Sequence, residues 1–330
     1  MGARIPMPTD ESYPHCPLFS KSPLQPLYPI ALSQVCIQWR ELVLQMPVLW
    51  RYIHVSRSAE AHRRLKSQIQ RSLEWLPTYL IRSGDQPLHI TIDTTRVPFP
   101  ATLPLLAKAS GRWASLTLLV SHVGHLPPIL SVLGNTHVPA LNSLTIASDI
   151  YREGIVVYDA LPAFFDYAPS LTRIKLLGTY TAWNAPPFSN LLQMELCYAS
   201  HWPDFESLGS LFAASPNLRQ LVIHDDIAQI LHNVDLPRNY EQIRLMSLTY
   251  LEIRVYRLRR AKAEVARLVA LFFLPSLRTL HLKEIFKDEW KELYRAFGFP
   301  LHPGDFDHTY PHRALEYFPA LSNLNVEFAI

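Results

Sequence analysis

The chain has 330 residues, 48% of them hydrophobic and 18% charged, with a formal net charge of +3. That composition excludes a disordered chain, and so small a charge excludes a polyanion binder acting by bulk charge alone. Three cysteines, Cys16, Cys36 and Cys197, form no Cys-x-x-Cys pair, and there is no Asn-x-Ser/Thr sequon, so an intracellular setting is expected, cytoplasmic or nuclear.

Residues 1–29 are rich in Pro and Ser, show no apolar period and read as a mobile tail. Over 30–46, Ile30, Leu32, Val35, Cys36, Trp39, Leu42 and Val43 recur at spacings of two to four, which predicts an amphipathic helix with Ser33 capping its start. Pro47 ends it, and Leu49, Trp50, Ile53 and Val55 read as a turn running into a strand. Leu32, Val35, Trp39 and Trp50 are large apolar residues on one face, so they must either cap the first repeat or meet a partner. Residues 57–85 carry a helical stripe, Leu65, Ile69, Leu73, Leu76, Leu80 and Ile81, ending at Gly84 as a C-cap.

From residue 86 to the end one phrase returns: Pro or a small residue, x, Leu, x, x, Leu, x, Leu or Ile. Copies begin at Pro139, Pro169, Ser189, Pro216, Met246, Pro275 and Pro319, with weaker ones at 87–92 and 113–118. Their first leucines fall at 141, 171, 191, 218, 248, 277 and 321, mostly 20–30 residues apart. Looser stretches of helical period lie between them, at 126–133, 161–167, 205–213 and 264–273. A strand phrase followed by a helix in register predicts an α/β solenoid of the leucine-rich-repeat kind, with a parallel sheet. A charged helix from Lys283 to Phe297 and a His- and Pro-rich loop interrupt the rhythm before the last copy. The chain stops four residues after Val326 with no polar capping repeat, which predicts a truncated chain or a last helix folded over the end.

Within each phrase the apolar positions alternate with polar ones, so the polar set points away from the core. That set is Arg173, Lys175, Gln193, Glu195, Gln220, His224, Tyr250, Glu252, Arg254, His281, Lys283, Asn323, Asn325 and Glu327. It forms the candidate surface for a target protein. Its mixed charge argues against a nucleic-acid groove, which needs a basic track. The basic runs Arg57–Arg71 and Arg254–Lys262 read as solvated faces.

No Gly-x-Ser-x-Gly, P-loop or Gly-x-Gly-x-x-Gly occurs, so no catalytic residue is assigned. His302, Asp305, Asp307, His308 and His312 have ligand-like spacing but lie in a turn-rich loop, and neither metal nor cofactor is expected. No membrane segment is expected either, since the longest apolar run, 265–274, contains Arg267 and is too short to span a bilayer.

Residues 30–56 resemble the second half of an F-box, of the type expanded in mushroom-forming fungi. The matching pattern is Leu-Ser-x-Val-Cys-x-x-Trp-Arg, here Leu32, Ser33, Val35, Cys36, Trp39 and Arg40, followed by Pro47, Leu49 and Trp50. Leu80–Leu88 is similar to that family's linker into degenerate leucine-rich repeats. The family's opening helix, Leu-Pro-x-Glu-Ile/Leu-Leu-x-x-Ile-Phe, has no counterpart here. The resemblance implies docking on the Skp-type adaptor of a cullin–RING ubiquitin ligase through Leu32, Val35, Cys36, Trp39, Leu49 and Trp50. The repeats would then select the target. A stand-alone binding scaffold or a decayed F-box paralogue is the alternative.

Overall fold

The computed structural model describes residues 28–55, 75–94, 102–120, 125–134, 136–148, 165, 168–179, 189–197, 205–225, 241–255, 264–285, 290–291, 293 and 318–328. The tail to residue 27, the run 57–74 and the loop 302–312 lie outside the described residues, as does nearly all of 161–167.

The architecture is mixed α/β, built on one ten-stranded sheet. Its strands are β1 (Tyr52–Val55), β2 (Leu88–Asp93), β3 (Trp113–Val120), β4 (Ser143–Ser148), β5 (Arg173–Leu177), β6 (Gln193–Cys197), β7 (Gln220–Asp225), β9 (Tyr250–Val255), β11 (Thr279–Ile285) and β12 (Asn323–Phe328). They lie side by side in chain order, and every pairing is parallel. Two short strands, β8 (Ile243–Arg244) and β10 (Phe272–Phe273), form a separate parallel pair. Helices Leu126–Leu133 and Phe205–Ala213 occupy two of the four stretches read as helical, and the stretch 264–273 divides into helix Glu264–Ala270 and β10.

Each repeated phrase is a turn plus a strand. The amide of its first leucine donates to the carbonyl three residues back: Leu141 to Val138, Leu171 to Ala168, Leu218 to Ser215, Leu248 to Leu245, Leu277 to Leu274 and Leu321 to Phe318. The opening Pro therefore sits at the second position of a β-turn, where its fixed φ is already correct and no amide is needed. The copy that opens on Ser189 uses Asn190 at φ 69°, a left-handed conformation that Asn tolerates. One residue on from the first leucine, a single carbonyl accepts two amides from the next phrase: Asn142 from Thr172 and Arg173, Thr172 from Leu192 and Gln193, and so on to Arg278, which takes Ser322 and Asn323. This shared acceptor locks the register between neighbouring phrases.

Register turns the alternation into continuous rows. Ile53, Ile90, Leu116, Leu144, Ile174, Met194, Leu221, Leu251, Leu280 and Leu324 align across the sheet and face the main core. The second inward row runs from Val55 and Ile92 to Leu282 and Val326. The first leucine of every phrase is buried beside them. The opposite face is not uniformly polar, however. Leu119, Ala147, Leu177 and Cys197 form a small buried apolar cluster there, at the ends of β3–β6.

Two expectations are corrected. The helix expected over 30–46 is two helices, Tyr28–Ser33 and Ile37–Leu44. Ser33 closes the first by donating its Oγ–H to the Ile30 carbonyl, and Cys36 caps the second, its Sγ accepting from the Trp39 amide. The charged helix expected from Lys283 starts later, because β11 runs on to Ile285; residues 290, 291 and 293 are helical. Gly84 does end the helix over 75–82 in a left-handed conformation, at φ 53°. There the Arg112 guanidinium donates to the carbonyls of Leu80, Gly84 and Gln86 and to Ser83 Oγ, satisfying acceptors the helix end leaves open.

Candidate functional site

Two surfaces gather the residues singled out from the sequence. The first is the face of the two N-terminal helices. Trp50 is not part of it: at 1% exposure it lies in the core, its Nε1–H donates to the Val43 carbonyl at 2.9 Å, and its ring packs edge-on to Tyr79. Arg40 Nε ties the helix pair together by donating to the Ser33 carbonyl. Four of the nine motif residues thus hold the motif in place: Ser33, Cys36, Arg40 and Trp50 have internal partners. Leu32 and Leu49 are half-buried against the core. Val35 and Trp39 remain exposed, at 64% and 47%, together with Ile37, Leu42, Leu44, Met46 and Val48. Cys36 is exposed as well. Large apolar side chains exposed in this number are costly in water and make this region the candidate partner surface.

The second surface is the outer face of β5–β12. Register sets Lys175, Glu195, Val222, Glu252, His281 and Asn325 in one row, and Cys197, His224, Arg254 and Lys283 in the next. Glu252 is its electrostatic centre. Its carboxylate accepts from His224 Nε2 at 3.0 Å, from Lys283 Nζ at 2.9 Å and from Tyr250 Oη at 2.6 Å, with His281 Nδ1 at 3.9 Å. The bond from His224 chiefly holds this carboxyl well below the usual carboxylate range, against the opposing effect of burial; Tyr250 and Lys283 add to it. Tyr250 moves the other way: burial and its bond to Glu252 raise its phenol above the ordinary value. Its hydroxyl also lies 3.2 Å from His281 Nδ1.

The remaining predicted residues are distributed unevenly. Lys175 pairs with Glu195 at 2.5 Å, Arg254 with Glu284 at 2.7 Å, and Arg173 donates to Asn142 Oδ1. Gln193, Asn323, Asn325 and Glu327 are exposed, and Gln220 is half-buried. A shallow depression of about 170 Å³ is lined by Arg173, Lys175, Gln193, Glu195 and Gln220, among others. Sequence reading missed Glu284, which reaches Arg254 because a register shift after Leu282 puts it at φ 57°. It also missed that Cys197, read as a core residue, comes within reach of Glu195 and His224.

The charges of this face are largely paired. Among the described residues its one thiol, Cys197, is 1% exposed, too deep to attack an external carbonyl. No described helix is long and apolar enough to cross a membrane. No family model matches the chain, and neither a curated protein nor a solved structure matches it.

Proposed function

We propose that the chain is a non-catalytic, target-selecting adaptor of a cullin–RING ubiquitin ligase, an F-box-like helix pair leading into a leucine-rich-repeat-like solenoid. The observation that carries this reading is the set of exposed apolar side chains in and around helix Ile37–Leu44, among them Val35, in the turn before it, and Trp39, where the F-box resemblance puts adaptor contacts. A strictly sequential parallel sheet beside it supports the solenoid, since only a crossover after each strand gives that order. The polar face of β5–β12 is then the target surface, with Arg173, Gln193, Asn323, Asn325 and Glu327 its exposed residues. The ligase partners would supply the transfer chemistry.

Co-purification of the full chain with a Skp-type adaptor tests this reading. Capture by wild type and its loss in Trp39→Ala support it. A folded wild-type chain that captures no adaptor removes the ligase link and leaves a stand-alone binding scaffold.

A further inference from the structure

We propose that Glu195, Cys197 and His224 form a zinc site on the polar face of the sheet. The three residues come from adjacent strands: Glu195 and Cys197 from β6, and His224, the direct register partner of Cys197, from β7. One donor atom from each lies within 4.8 Å of the other two. Carboxylate, thiolate and imidazole are the three donor types zinc takes in proteins, whereas magnesium and calcium avoid sulfur.

The geometry is close to a tetrahedral bite. Zinc–sulfur and zinc–oxygen bonds of about 2.3 and 2.1 Å at a tetrahedral angle put the two donors roughly 3.6 Å apart. Cys197 Sγ and Glu195 Oε1 are 3.7 Å apart before any metal enters. Every other pair in the set needs to close by no more than about 1 Å, within reach of a side-chain rotation.

A second shell is already in place. His224 Nε2 is bonded to Glu252 Oε1 at 3.0 Å, which leaves Nδ1 as the nitrogen to ligate the metal. A carboxylate on the far nitrogen fixes the imidazole tautomer and raises its basicity, the usual support of a metal-bound histidine. Lys283 and Tyr250 hold Glu252 in turn. The apolar neighbours Leu119, Ala147 and Leu177 shield the sulfur side. On binding, Cys197 loses its proton to solvent and the thiolate takes the metal. Lys175 is the competitor, its ammonium 2.5 Å from the same Glu195 oxygen. A fourth position stays open to water or to a donor from a bound ligand.

The test uses the full chain with Cys16 and Cys36 changed to Ser, so that any thiolate signal belongs to Cys197. Cobalt(II) is titrated into the metal-stripped protein and followed by absorbance. The expected result is one equivalent bound, with a thiolate-to-cobalt charge-transfer band and strong tetrahedral visible bands, both displaced by zinc. Cys197→Ala abolishes the charge-transfer band. Glu252→Gln weakens binding about 10–100-fold through the second shell, and Lys175→Gln tightens it about tenfold by removing the competing charge. A folded chain that gives no charge-transfer band, or only the weak spectrum of octahedral cobalt, overturns the site. This outcome is independent of adaptor binding.

Discussion

Replacing Glu252 with Gln keeps the shape of the side chain and removes its charge. Glu252 is 7% exposed, and its carboxylate holds two cationic or ionisable partners, Lys283 and His224, besides Tyr250. A hydrogen bond to a charged group contributes about 1.5–3 kcal/mol. Gln can still accept from Tyr250 but leaves Lys283 facing a neutral amide, and breaking a buried pair costs about 3–5 kcal/mol. A loss of about 3 kcal/mol at pH 7 is therefore expected for Glu252→Gln, read from urea unfolding of both proteins. The pH dependence has a definite sign. The folded-state pKa of Glu252 lies below its ordinary 4.5, so its stabilisation is fully present above that value and fades as pH falls toward the folded one. The part of the gap that comes from the Glu252 charge should close as pH falls below about 4.5. A variant within about 0.5 kcal/mol of wild type at pH 7, roughly the effect of an ordinary surface change, or a gap that persists undiminished in strong acid, refutes the reasoning.

Arg112→Ala removes the donor that serves three carbonyls at the end of helix 75–82, and a loss of about 1.5–3 kcal/mol is expected by the same unfolding measurement. Trp50 and Trp39, both in the resemblance motif, should separate cleanly: Trp50→Ala costs about 3–5 kcal/mol because it empties a core position, while Trp39→Ala stays within about 0.5 kcal/mol. Raising the pH above 10 should destabilise wild type more than Tyr250→Phe, because the folded state keeps the phenol protonated after the unfolded chain has lost that proton.

The strand phrases were legible because two signals coincide in them. Their leucines alternate at period two, and a turn-forming Pro precedes most of them, so all seven copies, from Leu141 to Leu321, place a buried leucine at the start of a strand. Alignment of the phrases sets the cross-strand neighbours, Lys175 beside Glu195 and Cys197 beside His224, but the second pair went unread because a Cys among apolar residues reads as core. The helix pair was harder. Apolar spacing cannot show a break at Gln34 and Val35, because Cys is a rare cap and Ser33 serves equally at a helix end. The burial of Trp50 was not legible either, since a large apolar side chain on one face satisfies an interface or a core alike. Glu284 escaped because a bulge shifts parity by one residue, and parity was the only guide to side-chain direction.

The most direct measurement is calorimetric titration of a purified Skp-type adaptor into the full chain, repeated with Trp39→Ala. One-to-one binding by wild type is predicted. Loss of about 2 kcal/mol or more in the variant is predicted with it, roughly thirtyfold in affinity, as befits an exposed Trp anchor. No heat of binding from a folded wild-type chain, or equal affinity in the two proteins, would contradict an adaptor role for the N-terminal helix face.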